Sequence, residues 1–506
     1  MAQLAELLAR LESFMETRHN YIAPMGWEAS VGGLIGLSLD QTRFMLALFL
    51  SVPTAAVVPR IPGSTLRHLY ALLVGALLVY YPFGFGVIHA AAPCALVYLS
   101  MAVFPSVCGA LAWGVCFPYL IYLHVVNASG ENWQAGLLDF TGCEMVLVLK
   151  LISLAVARQD GWKLATRGED LTDYQRVHCF NRCPNPLEYL SFVFGLGNLL
   201  SGPYLEYNDY QGFIQQRGLW DTKARKPPSS KAPALKCMAT ALVYMVLYQA
   251  MIPTFNRKLL VGEWYSQQSF FVKVFACHMT SLTSQVKFVF AWKISEASLT
   301  VAGLNFDGWD ENTGEGKWGR YENVRFTKML LSDSGRIVVS HWNVGTARFL
   351  RRYVYERILP KGRKPGFPQL LTTQVVSAVW HGLYPGYLLF FVGSAFWINF
   401  STVIYHAERA LLPQAVAKSV PMRAAKIVWT HVCLNTIATA FTVLDVKETL
   451  RLWRSIYFAP MLIIVVGSVA GPALLSLVRE TKQRGADKGG SDSGVAGDGP
   501  MEKKKN

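Results

Sequence analysis

An ionisable side chain inside a long apolar stretch is costly to bury, so such residues mark candidate sites for chemistry. The chain offers Glu144 and Lys150 in the window 137–157, Glu206 in "SGPYLEYNDY" at 201–210, and His381 in "TTQVVSAVWHGLYPGYLLFFVGSAFW". Glu144 and Lys150 read most simply as a structural pair, or as interfacial side chains whose charged ends reach water. Glu206 lies near a span end and suits either a structural role or a substrate contact. His381 differs in kind, because imidazole titrates near physiological pH and can take a proton and return it. It is flanked by Trp380, Gly382, Tyr384, Pro385 and Gly386 in an otherwise lipid-compatible helix. A lone His on an apolar helix is also compatible with a satisfied core residue. His178, Cys179 and Cys183 in "HCFNRCPNP" lack a second Cys or His pair to complete a four-ligand site, so no metal is expected. The nine cysteines are odd in number and mostly lie in apolar runs, where a thiol acts as a small hydrophobe and no disulfide framework is expected.

The elements that must carry these side chains are long and apolar. Of 506 residues, 52% are hydrophobic and 16% charged, against about 25% charged in soluble domains. Fourteen Trp, 22 Tyr and 28 Phe suit the two faces of a bilayer. The length alone would suggest about three soluble domains, but this composition points to one polytopic membrane unit and excludes disordered, collagen-like and disulfide-scaffold classes for most of the chain. The net charge of +15 reads first as cytoplasmic loops held by anionic lipid, ahead of nucleic-acid binding.

A membrane span needs about 20 mostly apolar residues. Candidate windows are 31–59, interrupted by Asp40 and Arg43, then 66–88, 94–126, 137–157, 187–205, 235–260, 268–292, 369–405, 425–445 and 455–478. Pro53, Pro59, Pro105 and Pro118 break two of them into helix pairs or re-entrant pieces. The expectation is an all-α integral membrane protein with roughly 9–11 spans. Its parts are a short N-terminal amphipathic segment at 1–30, the membrane domain at 31–478, and a disordered tail at 479–506 that is rich in Gly, Ser and charge. The basic stretches 208–236 and 317–364 are expected in the cytoplasm. Within the second, "WNVGTARFLRRYVYERI" places Trp342, Phe349, Leu350, Tyr353 and Val354 on one helical face and Arg348, Arg351, Arg352 and Arg357 on the other, the pattern of an interfacial helix.

"WHGLYPGY" at 380–387, preceded by "SHWNVGTARFLRRYVYERI" at 340–358, resembles the membrane-bound O-acyltransferase superfamily, and within it the lysophospholipid acyltransferases of the lysophosphatidylcholine branch. "SGPYLEYNDY" and "QVKFVFAWKISEAS" at 285–298 resemble two further family segments, so the likeness runs from about residue 185 to 405. The chain departs from the family pattern at Gln285, Phe288 and Val289, and at Trp318-Gly319 where the family often has Trp-Asp. These departures bear on head-group and acyl-chain preference.

The resemblance implies helices around a central catalytic chamber and transfer of a fatty acyl group from acyl-CoA to the free hydroxyl of a lysophospholipid, most simply lysophosphatidylcholine. His381 would be the general base. Asn343, 38 positions upstream, carries over as the second catalytic residue, holding the thioester carbonyl or stabilising the oxyanion. Arg348, Arg351 and Arg352 would receive the phosphates of CoA, and Trp380, Tyr384 and Glu206 would line or support the substrate site. Acyl-CoA is a co-substrate, and no cofactor or metal is required by a thioester that is already activated. Rival expectations are another acceptor, such as a diacylglycerol, a sterol or a protein, and a proton-coupled transporter with His381 as relay. The transporter requires inverted repeats, which the sequence lacks. Lys503 and Lys504 resemble a dilysine retrieval signal read by a coat protein, which implies residence in the endoplasmic reticulum with the tail in the cytosol. The Asn127-Ala-Ser129 sequon would put its loop in the lumen if used.

Overall fold

The computed structural model describes residues 20, 22–127, 137–225, 227–359, 363 and 365–490. The 1–19 part of the N-terminal segment, Ser129 of the sequon, Lys361, Lys364, and the end of the tail with Lys503 and Lys504 lie outside these residues. The principal helices are α1 (Leu39–Ala55), α2 (Ser64–Phe83), α3 (Ala91–Val103), α4 (Cys108–Val126), α5 (Thr141–Arg167), α6 (Lys231–Met251), α7 (Phe270–Ala302), α8 (Val344–Phe349), α9 (Phe367–His381), α10 (Pro385–Leu411), α11 (Val420–Val443) and α12 (Ala459–Gly490). One small hairpin, β1 (Phe306–Trp309) paired antiparallel with β2 (Gly316–Trp318), interrupts this helical architecture.

Among the described residues six helical segments are long and apolar enough to cross a membrane, fewer than the roughly 9–11 expected from windows of about 20 residues. The difference has a physical cause. Helices α5, α7 and α11, with 27, 33 and 24 residues, have the length of spans, but they bury Lys150, Lys293 and Asn435 against protein, so their composition need not suit lipid. Conversely, α6 and α12 are little buried, and Leu235, Val246, Val466 and Val469 point outward, as a lipid-facing surface requires. The window 187–205 is not one helix: Pro186–Phe194 is helical, and an irregular buried stretch follows, tolerable at membrane depth only because protein covers it. The window 94–126 divides into α3 and α4 at Phe104–Val107, and 369–405 divides at Gly382–Tyr384. Helix α12 continues to Gly490, past the expected boundary at 478.

The charges that interrupt the first window are accommodated locally. Ser38 caps α1 through the Gln41 N–H, and Asp40 falls in the first turn, where the helix dipole favours an anion. Arg43 is buried and bonds both oxygens of Glu28 at 3.1 and 3.0 Å, while Tyr81 donates to Glu28 at 2.5 Å. Glu144 and Lys150 are both buried but do not pair. Lys150 Nζ donates to the Val193 carbonyl at 2.9 Å and to Asn198 Oδ1 at 3.0 Å, whereas neither Glu144 oxygen has a hydrogen-bond partner among the described residues. Breaking a buried pair by removing one partner costs about 3–5 kcal/mol. Arg43→Met should therefore lower the melting temperature of the detergent-purified protein markedly, and Arg43→Met/Glu28→Gln should recover part of that loss.

Candidate active site

His381 is the last residue of α9, and the residues after it form the corner that presents it. Gly382 ends the helix at φ 134°, a conformation open to glycine. A Cβ there would lie 3.3 Å from the Tyr387 ring and 3.4 Å from His124 Nδ1. Pro385 then opens α10, where a fixed φ and a missing N–H cost nothing. Gly386 lets α10 approach the end of α11: its N–H donates to the Leu444 carbonyl at 2.9 Å, and a Cβ would sit 2.3 Å from the Ala440 oxygen. The Trp-His-Gly-x-x-Pro-Gly-Tyr string is thus the sequence of a tight helix-to-helix corner with an imidazole at its apex.

The imidazole is oriented on one edge. Nδ1 lies 2.7 Å from the Ser377 carbonyl. A carbonyl only accepts, so Nδ1 carries the proton and Nε2 holds the lone pair. The ring packs against Trp380 at 4.5 Å, Phe391 at 4.7 Å and Phe441 at 5.4 Å. Trp380 is fixed in turn, its indole N–H donating to the Met145 carbonyl at 2.8 Å and its carbonyl meeting His124 Nε2 at 3.0 Å. Trp380 therefore acts as the anchor of the corner. Tyr384 stands half-buried at the start of α10, its ring 6.0 Å from that of Tyr387.

Asn343 opens α8 in the left-handed conformation, φ 45° and ψ 50°, which Asn adopts more readily than most residues. Its side chain does not cap the helix; its Oδ1 accepts from Asn323 Nδ2 at 3.2 Å. No hydrogen bond or ring contact joins His381 to Asn343 among the described residues, but their supports are shared. A π-helical turn at Leu350–Tyr355 follows α8 and packs on α9. Phe349 meets Trp113 of α4 at 6.2 Å, α8 also packs on α5, and the His381 corner rests on His124 of α4 and Met145 of α5. The apolar face of "WNVGTARFLRRYVYERI" is accordingly covered by protein rather than laid on lipid: Phe349, Tyr353 and Val354 belong to the core, while Trp342 precedes the helix and packs on Trp292 at 5.0 Å.

The basic residues divide. Arg351 and Arg352 are both ion-paired with Glu356 at 3.0 Å, and the Arg352 guanidinium lies 4.2 Å over the Tyr174 ring. Arg357 is held by Asp160. Arg348 instead lines a polar cavity of about 210 Å³ with Tyr174, Asp209, Asp307, Arg320 and Arg325. There Arg320 grips Asp209 through two bonds, at 2.6 and 2.9 Å. Burial opposes its charge, but the Asp209 and Asp307 carboxylates outweigh that and raise its pKa. Arg325 pairs with Glu322. Among the described residues Arg348 forms no ion pair; one of its nitrogens donates to the Arg320 carbonyl at 3.3 Å. Glu206 is 3% exposed and accepts the hydroxyls of Tyr174 and Tyr353, so its carboxylate ties two aromatic side chains together.

Sequence reasoning missed His124, Ser377 and Asn323. His124 was within reach, being an ionisable residue in the window 94–126. Ser377 contributes a backbone carbonyl and Asn323 lies in a polar loop, so neither leaves a compositional signal.

A profile of the membrane-bound O-acyltransferase family matches residues 126–441, a span containing both His381 and Asn343. The chain belongs to this family, and it is a multi-pass membrane acyltransferase. It is 36% identical to lysophospholipid acyltransferase 1 of Arabidopsis thaliana over 90% of its own length and 97% of that protein. It is 35% identical to lysophospholipid acyltransferase 2 of the same plant, over 88% and 95%. Membrane-bound glycerophospholipid O-acyltransferase 1 of Homo sapiens is 27% identical over 88% and 90%.

Overpacking a close helix contact costs about 1–3 kcal/mol. Gly386→Ala should force α10 from the end of α11, lowering both the melting temperature and the catalytic rate, whereas Leu383→Ala, at a side chain 53% exposed, should leave stability nearly unchanged.

Proposed function

We propose that this chain is a lysophospholipid O-acyltransferase, with lysophosphatidylcholine as acceptor and unsaturated acyl-CoA as donor, acting in phospholipid remodelling. The observation that carries the chemistry is the Nδ1–H bond from His381 to Ser377, which leaves Nε2 as the basic nitrogen. Nε2 takes the proton from the lysophospholipid hydroxyl as that oxygen attacks the thioester carbonyl. The carbonyl oxygen becomes an oxyanion, and the Asn343 amide donates to it. The C–S bond then breaks, the ester remains on the phospholipid, and the thiolate of CoA recovers the proton from His381. The thioester supplies the driving force, so the step needs no metal and no covalent enzyme intermediate.

Arg348, with no ion pair among the described residues, is the cation best placed to receive a phosphate of CoA at the polar cavity. Arg351 and Arg352, paired with Glu356, contribute by shaping the local field. The basic loops favour a cytosolic entry for acyl-CoA. Lys503 and Lys504 support residence in the endoplasmic reticulum through a retrieval coat, with the tail in the cytosol.

General acid–base catalysis contributes about 10²–10⁴-fold and one oxyanion donor about 10²–10³-fold. Purified protein given oleoyl-CoA should place label in phosphatidylcholine when offered lysophosphatidylcholine, and His381→Ala and Asn343→Ala should each lower kcat by at least about 100-fold. Arg348→Ala should raise the KM for acyl-CoA about tenfold or more, the scale of one charge-assisted hydrogen bond. Transfer to diacylglycerol or a sterol in preference to every lysolipid would overturn the acceptor assignment.

A further inference from the structure

The carboxamide of Asn343 has two faces of opposite chemistry. An N–H turned to the reacting carbonyl stabilises an oxyanion, whereas an oxygen lone pair turned there repels it. Which face is presented depends on what holds the other.

The backbone fixes the answer through Asn323. The Gly345 N–H lies 2.9 Å from the Asn323 side chain. A backbone N–H can only donate, so the atom it meets is Oδ1. The remaining polar atom of that planar group is Nδ2, which can only donate, and it faces Asn343 at 3.2 Å. Asn343 must therefore turn its own Oδ1 toward Asn323, which directs its NH2 away from that loop. The surrounding contacts leave little freedom for another arrangement. Asn323 is 2% exposed, and its backbone carbonyl accepts from Val344 at 2.9 Å. A Cβ on Gly345 would lie 3.1 Å from both Asn323 Oδ1 and the Tyr204 nitrogen. Asn343 itself is held in the left-handed region with its side chain unused as a cap, so the bond from Asn323 sets its rotation.

We propose that Asn323 is a positioning residue that locks the Asn343 carboxamide with its NH2 toward the thioester carbonyl. The inference rests on the acyltransferase role given to Asn343 above.

The test compares Asn323→Asp, Asn323→Ala and Asn343→Ala with the wild-type full-length protein, measuring kcat, KM for acyl-CoA and melting temperature. Asp keeps the shape of Asn and still accepts from Gly345, but it offers Asn343 an acceptor, so Asn343 rotates to donate and presents its oxygen to the thioester. Ala removes the lock without imposing the wrong rotation. The expected order of kcat is wild type above Asn323→Ala above Asn323→Asp, with the Asp variant at least about 30-fold down and its KM within about twofold of wild type, since one lost oxyanion donor is worth about 10²–10³-fold. A merely structural Asn323 predicts the reverse order, because Asp is the closer isostere. Activity of the Asp variant equal to or above that of the Ala variant would overturn the proposal, as would losses confined to KM. If the Asp variant does not fold, the Ala variant decides: a fall in kcat with KM and melting temperature unchanged supports the lock, and a joint fall in kcat and melting temperature refutes it. Wild-type activity with a fully active Asn343→Ala would overturn the role of Asn343 and the lock together; an inactive Asn343→Ala with the reverse order for the position-323 variants would overturn the lock alone.

Discussion

Within the hydrocarbon of a membrane no water is present to satisfy a polar group, so each one must find its partner inside the protein or stand as an uncompensated cost. The architecture of this acyltransferase follows from that constraint. Glu28, Arg43 and Tyr81 form a closed set in the first spans. Lys150 reaches across to the end of Pro186–Phe194, where it bonds the Val193 carbonyl, and to Asn198 in the irregular stretch that follows, so the charge and the broken helix answer each other. The outward-pointing side chains of α6 and α12 include Leu235, Val246, Val466 and Val469, while the buried polar residues Lys150, Lys293 and Asn435 sit on α5, α7 and α11 within the bundle.

The same rule shapes the site. The corner between α9 and α10 pairs its polar groups with neighbouring elements. The Gly386 N–H bonds the Leu444 carbonyl, the Trp380 carbonyl meets His124, and the Trp380 indole bonds the Met145 carbonyl. These bonds fix Trp380 and the start of α10 around the imidazole, which the Ser377 carbonyl orients. Asn343 is built differently, on a polar loop whose amide groups are matched to one another. The two residues are thus positioned independently against a common backing of α4 and α5, a design in which each can be held rigidly before substrate arrives.

Identity of 36% to a relative over nearly the whole of both chains, together with the family match over 126–441, places both residues within a shared scaffold. The departures at Gln285, Phe288 and Val289 fall on α7. Gln285 bonds Asn435 of α11 at 2.7 Å and Phe288 stacks on Trp292 at 5.5 Å. Gln285 thus ties α7 to α11, and Phe288 packs 6.3 Å from Trp342, the residue before Asn343.

The sequence by itself determined the membrane class, the family and the candidate pair His381 and Asn343, because composition and a short, conformationally demanding string such as "WHGLYPGY" are local properties. It also located the break at Pro105, whereas Pro53 and Pro118 lie inside helices and the division near Gly382 emerged only in the fold. It could not tell which basic residues were available. Arg348, Arg351 and Arg352 look alike along the chain, and only the approach of Glu356 and the walls of the polar cavity separate them. Nor could it show that Glu144 and Lys150 stand apart, that Glu206 is taken by two tyrosines, or that Asn323 faces Asn343 across a separation of 20 residues that includes two short helices. Those facts depend on which distant segments meet, and hydrogen-bond pairing between distant segments leaves no periodic or compositional trace in the residues that make it.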